Sequence, residues 1–190
     1  VLVEAARRFG LAADSLKFLG DFENYVYEGQ KDGTSYILRL THSSHRSTNL
    51  VLGELEWINY LAENGVSVAK ALHSVAGKLA EEIPVGEGYF VASLFQKAKG
   101  RLLDRTNPAE PTRDVIFEWG KTIGRMHRVT KHFAPSEARF KRPHWFEDDL
   151  LCFEKYLPRE VRHIVDIGYA LLEYAQGLPR SLDDYGQIGR

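Results

Sequence analysis

The residues best placed to do chemistry are an arginine on a predicted strand and a glutamate on the helix predicted to follow it. Alternation in the segment SYILRLT puts Arg39 on the face of the strand opposite Leu38 and Leu40. Glu54 lies in the helix that is predicted after the polar stretch 42–49. A strand cation can neutralise the charge of a bound phosphate, and a helix carboxylate can hold that cation in place. A pair of this kind is suited to a site for a phosphorylated ligand.

The elements that must position this pair are strand-rich over the first 96 residues. Val1 to Phe9 reads as a short helix ended by Gly10, and strands are predicted on both sides of a loop at Gly20 to Asn24. Asp32-Gly33 is a strong hairpin signal because this dipeptide tolerates a positive φ. The segments SYILRLT, VSVAKALHSV and YFVASLF add three extended stretches, so that five strands are predicted in total.

Helical periodicity appears once among these strands and dominates the second half of the chain. One helix is predicted after the polar stretch 42–49, which offers Ser44, Ser47 and Thr48 as caps, and it runs to about Asn64. A second is predicted from Thr112 to about Val129, and a last one from about Arg159 to Gln176. The expected inner face of the last helix comprises Val161, Ile164, Gly168, Leu171 and Ala175. We therefore predict a small strand-rich lobe over 1–96, and a hinge with part of a helical lobe over 97–190.

Composition excludes several classes of protein. Hydrophobic residues make up 44% of the 190 residues and the net charge is -1, which argues against both disorder and a general nucleic-acid binder. Cys152 is the only cysteine, so no internal disulfide is possible and a reducing compartment is expected. No apolar run approaches the length of a membrane span, and the first residues do not form a signal peptide. These features predict a cytoplasmic globular chain that binds no nucleic acid and no membrane.

The order of the segments resembles the aminoglycoside phosphotransferase-like kinases, a family that includes relatives of choline and homoserine kinase. The resemblance rests on LGDFENYVYEG, SYILRLT, ELEWINYLAENGVSVAKAL, YFVASLFQKAKG and WGKTIGRMH, which occur in this order and together cover nearly the whole chain. It implies an α+β, protein-kinase-like fold, with a five-stranded antiparallel small lobe, one helix, and an incomplete helical lobe. The implied activity is ATP-dependent phosphorylation of a hydroxyl group on a small molecule such as an aminoglycoside or amino alcohol, with Mg²⁺ as the metal.

The same resemblance assigns nucleotide-binding roles to particular residues. Arg39 lies where the family places its phosphate-contacting lysine or arginine, and Glu54 lies where the family places the paired carboxylate, with Glu56 as one alternative. The loop that covers the phosphates and the hinge that pairs with adenine supply the remaining predicted contacts, which are Gly20, Asp21, Asn24, Phe95, Gln96 and Ala98. No catalytic residue and no metal ligand is assigned within the chain.

Each of these residues also has a purely structural interpretation. Arg39 could be a surface strand residue paired with any carboxylate, and both glutamates could lie on the solvated face of an amphipathic helix. The stretch Gly20 to Asn24 could be an ordinary hairpin turn, and Phe95 could be part of the core. The ordered set of segments favours the functional interpretation of Arg39 and Glu54.

Other polar residues are weaker candidates. His42 and His45 have the spacing of two metal ligands, but no cysteine or third ligand is nearby, so no zinc site is predicted. The acidic run Glu147, Asp148 and Asp149 could meet a cationic substrate, although charges in the first turn of a helix are the more common explanation.

Phosphoryl transfer also needs a carboxylate near the acceptor hydroxyl and ligands for a metal ion. The family carries these in a His-Gly-Asp loop and a later Asp-x-Asp stretch, and neither motif occurs in the 190 residues. The final Tyr185-Gly186-Gln187-Ile188 is similar to the family's approach to that loop. We therefore expect a chain truncated before the catalytic loop and inactive by itself. The alternative is a non-catalytic nucleotide-binding or dimerisation module, covering the exposed faces of its helices in a homodimer.

Overall fold

An antiparallel sheet forms the centre of the first part of the computed structural model, which describes residues 1–104, 106–147, 151–181, 183, 185 and 186. Within these residues the sheet has six strands, in the order β1-β2-β3-β6-β4, with β5 pairing to the same side of β6 as β4. The strands are β1 (Lys17–Gly20), β2 (Tyr25–Lys31), β3 (Thr34–His42), β4 (Ala71–Leu72), β5 (Glu81–Val85) and β6 (Gly88–Gln96).

Five of the six strands match the predicted segments, and β5 is an addition. Glu81 and Ile83 of β5 are buried while Glu82 and Pro84 are exposed, so the strand does alternate. Two glutamates and a proline within five residues hide this pattern at the level of the sequence. Proline is tolerated because β5 pairs along only one side among the described residues, with β6, and an edge strand can lose a backbone donor.

Local chemistry sets the turns and the helix ends, as predicted. Asp32 has a φ of 50° and Gly33 a φ of 73°, which is the backbone of a tight hairpin turn between β2 and β3. The helices in the described part of the chain are α1 (Leu2–Phe9), α2 (Thr48–Glu63), α3 (Arg113–Thr130) and α4 (Arg162–Gln176). Ser47 caps α2 by accepting a hydrogen bond from the Leu50 amide, and Thr112 caps α3 in the same way.

The sheet carries α1 on one face and α2 on the other. Leu38 and Leu40 of β3 are buried in a cluster with Phe9 of α1. The intervening residue Ile37 packs instead on a cluster that includes Leu55 of α2. Since side chains alternate across a strand, the face of β3 that carries residues 37 and 39 is the face that α2 covers.

Helix α2 is also held from its other side by α3 and by the segment that follows it. The indole Nε1 of Trp57 donates a 2.8 Å hydrogen bond to Thr130 Oγ1 at the end of α3. A short 3₁₀ turn at Ala138–Phe140 lies against α2 at Gly53, where a side chain would meet the Phe140 backbone. The chain divides into two compact units. The first comprises Val1–Lys141 and so includes α3 and the 3₁₀ turn that contact α2, and the second comprises Arg142–Arg190. The boundary of the lobes at 96/97 stays a prediction.

The second unit is built around α4, which packs on a 3₁₀ turn at Phe153–Lys155. A Cβ added at Gly168 would lie 2.6 Å from a ring carbon of Phe153, so the helix approaches the ring closely. The predicted inner face is partly wrong. Val165 is buried, whereas Ile164 and Leu171 are exposed. The helical period predicts an apolar stripe, but its exact edge depends on the neighbouring turn.

Candidate functional site

An ion pair joins the predicted strand cation to the predicted helix carboxylate. Arg39 Nη1 donates a 2.6 Å hydrogen bond to Glu54 Oε1, and the two side chains are only 14% and 18% exposed. The pair forms because Arg39 lies on the face of β3 that α2 covers, opposite Ser93 of β6. A charge-assisted hydrogen bond of this length in a partly buried place is among the stronger polar contacts in proteins.

Glu56, the alternative partner, lies on a different side of α2. Its carboxylate accepts a 3.0 Å hydrogen bond from the Ser136 backbone amide and another from the Ser136 hydroxyl. Two residues along a helix are rotated by about 200° about its axis, so both glutamates cannot face the same strand. The structure therefore brings Arg39 together with Glu54 and not with Glu56.

A second arginine, which sequence reasoning missed, shares the same carboxylate. Arg46 Nη1 donates a 3.1 Å hydrogen bond to Glu54 Oε2, and Arg46 Nη2 lies 3.4 Å from Glu23 Oε2. Arg46 belongs to the polar stretch just before α2. This position beside the helix N-terminus was the feature of the sequence from which it could have been identified. Its partners are 8 and 23 residues away in the sequence, so no short-range pattern links them.

Arg39 has more hydrogen-bonding capacity than the protein uses. Its guanidinium lies 4.9 Å from the centre of the Phe95 ring, which is a cation–π contact. Within the described chain, the Nε and Nη2 atoms of Arg39 are buried and have no hydrogen-bond partner. Buried donors are normally satisfied, because leaving one unpaired costs about 1–3 kcal/mol. Such donors are suited to an anionic ligand oxygen or a water molecule.

The loop between β1 and β2 approaches this cluster through two of its residues. Asn24 Oδ1 accepts a 2.6 Å hydrogen bond from Thr41 Oγ1 of β3, and Glu23 contacts Arg46. Asp21 is exposed, and Phe22 at the tip of the loop is 99% exposed. The loop is thus tied to the strand that carries Arg39, while its tip is open to solvent.

Gly20 needs neither its backbone freedom nor its small size for the fold. Its φ lies outside the left-handed region, and among the described residues no atom beyond its chain neighbours lies within 4 Å of the place where a Cβ would stand. A glycine without an internal packing reason leaves open space in front of the loop backbone, where a ligand could approach closely.

The predicted hinge residues have different environments. The Phe95 side chain is buried in the core cluster with Val51 and Leu55, so its structural interpretation is correct for the side chain. The Gln96 amide donates a 2.9 Å hydrogen bond to the Lys70 carbonyl. In the described part of the chain, no hydrogen bond is found to the backbone of Ala98.

The start of the predicted hinge is held to the sheet by an ion pair. Lys97 Nζ donates a 2.6 Å hydrogen bond to Glu28 Oε1 of β2, and this bond lowers the pKa of the Glu28 carboxyl. The pair is partly exposed and therefore contributes little to stability.

The histidines and acidic residues that the sequence offered as other candidates do not form a second site in the described part of the chain. No group of three or more His, Cys, Asp or Glu residues that could hold a metal ion occurs within the described residues. His42 Nδ1 makes a 2.7 Å hydrogen bond with Ser44 Oγ. Asp148 and Asp149 lie outside the described residues, and so do Gln187 and Ile188. Among the helices that the structure describes, none is long and apolar enough to cross a membrane.

Most of the chain matches one known protein family. A sequence profile described as "Phosphotransferase enzyme family" matches residues 15–184, which includes the sheet, α2, α3 and α4. The chain belongs to this phosphotransferase family. The predicted resemblance to the aminoglycoside phosphotransferase-like kinases is thereby confirmed.

Individual members of the phosphotransferase family give the same result. The chain is 40% identical over 189 residues to the amicoumacin kinase of Bacillus subtilis (strain 168), covering 99% of this chain and 55% of that protein. It therefore spans about half the length of this curated relative.

Solved structures confirm the predicted α+β, kinase-like fold. An amicoumacin kinase in complex with AMP-PNP, Ca²⁺ and Ami superposes with a TM-score of 0.88 at 36% identity, covering 97% of this chain and 55% of that one. A microcompartment-associated aminopropanol kinase gives a TM-score of 0.62 at 20% identity over 76% of this chain and 44% of that one, which supports the fold alone.

Proposed function

We propose that this chain binds ATP through the Arg39–Glu54 site and provides the nucleotide-binding part of a kinase for small molecules. The observation that carries the proposal is the partly buried ion pair, in which Arg39 keeps two buried nitrogen donors without a protein partner in the described chain. The loop 20–24 and the backbone of Ala98 would contribute the phosphate cover and a contact to the adenine edge.

The names of the relatives support a small molecule as the acceptor, and we propose that a hydroxyl group on this molecule receives the phosphate. The relative with 40% identity is named for amicoumacin, and the solved relative with 36% identity holds both a nucleotide analogue and Ca²⁺. An amicoumacin-like compound is therefore the first acceptor to test, followed by aminoglycosides and amino alcohols. A cytoplasmic location is part of the same proposal.

The residues present do not fit a complete metal centre, so no step is assigned to Mg²⁺. Within the described residues no cluster of acidic side chains could hold the ion, and the sequence contains neither His-Gly-Asp nor Asp-x-Asp. We accordingly propose that these 190 residues bind nucleotide without transferring the phosphate at a useful rate. Magnesium-dependent turnover that Arg39→Ala abolishes would contradict this part of the proposal.

Nucleotide binding is the direct test, measured by isothermal titration of AMP-PNP into the 190-residue chain. Arg39→Ala should weaken binding by about tenfold or more, since a charge-assisted contact contributes about 1.5–3 kcal/mol. Arg7→Ala is the matched control, because Arg7 is 71% exposed on α1 and pairs with Glu4. Equal affinities of the wild type and Arg39→Ala would overturn the proposed site.

A second candidate function, an association module, is favoured by the surface of α3. Ile116, Phe117 and Trp119 are each more than half exposed on this helix, and such patches commonly mark contacts with other proteins. Light scattering over a concentration series tests it. A mass of one chain at all concentrations, without binding of an apolar dye, would contradict a homodimer.

A further inference from the structure

A carboxylate of the β1–β2 loop contacts a mostly buried arginine beside the proposed phosphate site. Arg46 Nη2 lies 3.4 Å from Glu23 Oε2, on the loop that is proposed to cover the phosphates. We propose that Glu23 is an internal anion that occupies a phosphate-binding position at Arg46, and that a nucleotide phosphate displaces it. This inference depends on the proposed function, and it makes Arg46 a second phosphate-binding cation.

The balance of charges in the cluster supports this exchange. Arg39 and Arg46 carry two positive charges, and Glu54 uses one carboxylate oxygen for each of them. The three side chains together therefore keep one positive charge, which only Glu23 balances among their ion-pair partners in the described chain. Removing Glu23 from Arg46 would leave a net positive site directly beside the orphaned donors of Arg39.

The two contacts of Arg46 differ in a way that makes Glu23 the replaceable partner. The contact with Glu54 is 3.1 Å long and joins two side chains that are less than 20% exposed. The contact with Glu23 is longer, and the Glu23 side chain is 47% exposed. Long, exposed ion pairs contribute little. A nucleotide phosphate offers a guanidinium the same two-bond geometry as a carboxylate and carries more negative charge. A phosphate oxygen therefore has the advantage over Glu23.

The loop has a separate attachment that would survive the exchange. Asn24 is held by the 2.6 Å hydrogen bond from the buried Thr41 hydroxyl, and this bond does not involve Glu23. Glu23 can consequently leave Arg46 while the base of the loop stays on β3. If the contact of Glu23 with Arg46 instead held the loop in place over the phosphates, its removal would weaken nucleotide binding. The two roles predict opposite signs for the same substitution.

Affinities of AMP, ADP and AMP-PNP, measured by titration at constant MgCl₂, distinguish these roles. Glu23→Gln should tighten AMP-PNP binding about three- to tenfold, because it removes the competing anion. Arg46→Gln should weaken AMP-PNP by about tenfold and AMP far less, since AMP lacks the outer phosphates. Arg46→Lys should recover part of the loss by keeping the charge. In the Arg46→Gln background, Glu23→Gln should bring no gain.

Controls separate this proposal from general effects of charge and folding. Glu118→Gln makes the same change in net charge on an exposed part of α3 and should leave all three affinities unchanged. Thermal unfolding of each variant shows that it is folded, and Glu23→Gln changes only an exposed loop position. Weaker or unchanged AMP-PNP binding by Glu23→Gln overturns the proposal, and so does an equal loss for AMP and AMP-PNP in Arg46→Gln. Absence of any binding by the wild type instead overturns the proposed function.

Discussion

Gly53 of α2 lies directly against the backbone of Phe140, and a Cβ at this position would stand 2.0 Å from the Phe140 carbonyl oxygen. A separation of this size is far below van der Waals contact, and the obstacle is backbone that cannot rotate away. The closeness matters for the candidate site because Gly53 is adjacent to Glu54. The segment that follows α3 thereby helps to set the position of the carboxylate that binds both arginines.

Gly53→Ala should destabilise the chain, because α2 must move away from the 3₁₀ turn at Ala138–Phe140. We expect a loss of about 1–3 kcal/mol in the free energy of unfolding, as for other overpacked sites, measured by denaturant titration. Gly120→Ala on α3 is the matched control, since no atom in the part of the chain that the structure describes lies within 4 Å of its Cβ position. That control should be neutral or slightly stabilising. An unchanged stability of Gly53→Ala would refute the close approach.

Gly20→Ala should separate ligand binding from folding. The new methyl group meets no atom of the described residues within 4 Å, so the free energy of unfolding should change by less than about 0.5 kcal/mol. The same methyl group would crowd a phosphate held under the loop, and AMP-PNP affinity should fall. Gly29→Ala is the opposite case, because there the added methyl group would crowd the protein itself: its Cβ would lie 2.9 Å from Leu16 Cδ2. If Gly20→Ala binds AMP-PNP as tightly as the wild type, the loop does not cover the phosphates.

Trp57→Phe should weaken the attachment of α2 to α3. It removes the indole donor to Thr130 and leaves part of a buried space empty. The expected cost is about 1–3 kcal/mol, which denaturant unfolding would measure. Trp119→Phe provides the comparison, since Trp119 is 67% exposed and its replacement should change stability by less than about 0.5 kcal/mol. Equal effects of the two substitutions would contradict the packing of α2 on α3.

Acid stability should depend on Glu4 of α1. Hydrogen bonds from Arg7, followed by those from Arg8, lower the pKa of Glu4 from 4.5 to about 2. A carboxyl whose pKa is lower in the folded state stabilises the fold above its unfolded pKa, and this stabilisation is lost as the carboxyl is protonated. The contribution should therefore be present above about pH 4.5 and disappear as the pH falls to about 2.

Glu4→Gln should remove this pH dependence, so the stabilities of variant and wild type should converge at low pH. Unfolding in urea between pH 2 and pH 6 checks this, at low ionic strength because the pair is exposed. A variant with the same pH profile as the wild type would show that the Glu4 pairs have no effect in solution.

Much of the fold could be predicted because local chemistry alone determines it. Asp32-Gly33 adopts its turn, and Ser47 and Thr112 cap their helices, through interactions within a few residues of the chain. Strand β5 escaped prediction because its glutamates and proline carry a weak strand signal, and only pairing with β6 makes it a strand.

The candidate site, like the fold, could be predicted from the sequence only in part. The alternation of β3 by itself determined that Arg39 lies on the face opposite Leu38 and Leu40, because the period of a strand is a local property. The expectation that Glu54, or Glu56 as the alternative, would pair with Arg39 came from the resemblance to the family. Only the tertiary structure decided that the partner is Glu54, since that choice depends on the rotation of α2 over the sheet. It also brought Arg46 and Glu23 to the same carboxylate cluster, because residues distant in sequence meet only when the loop, the strand and the helix pack together.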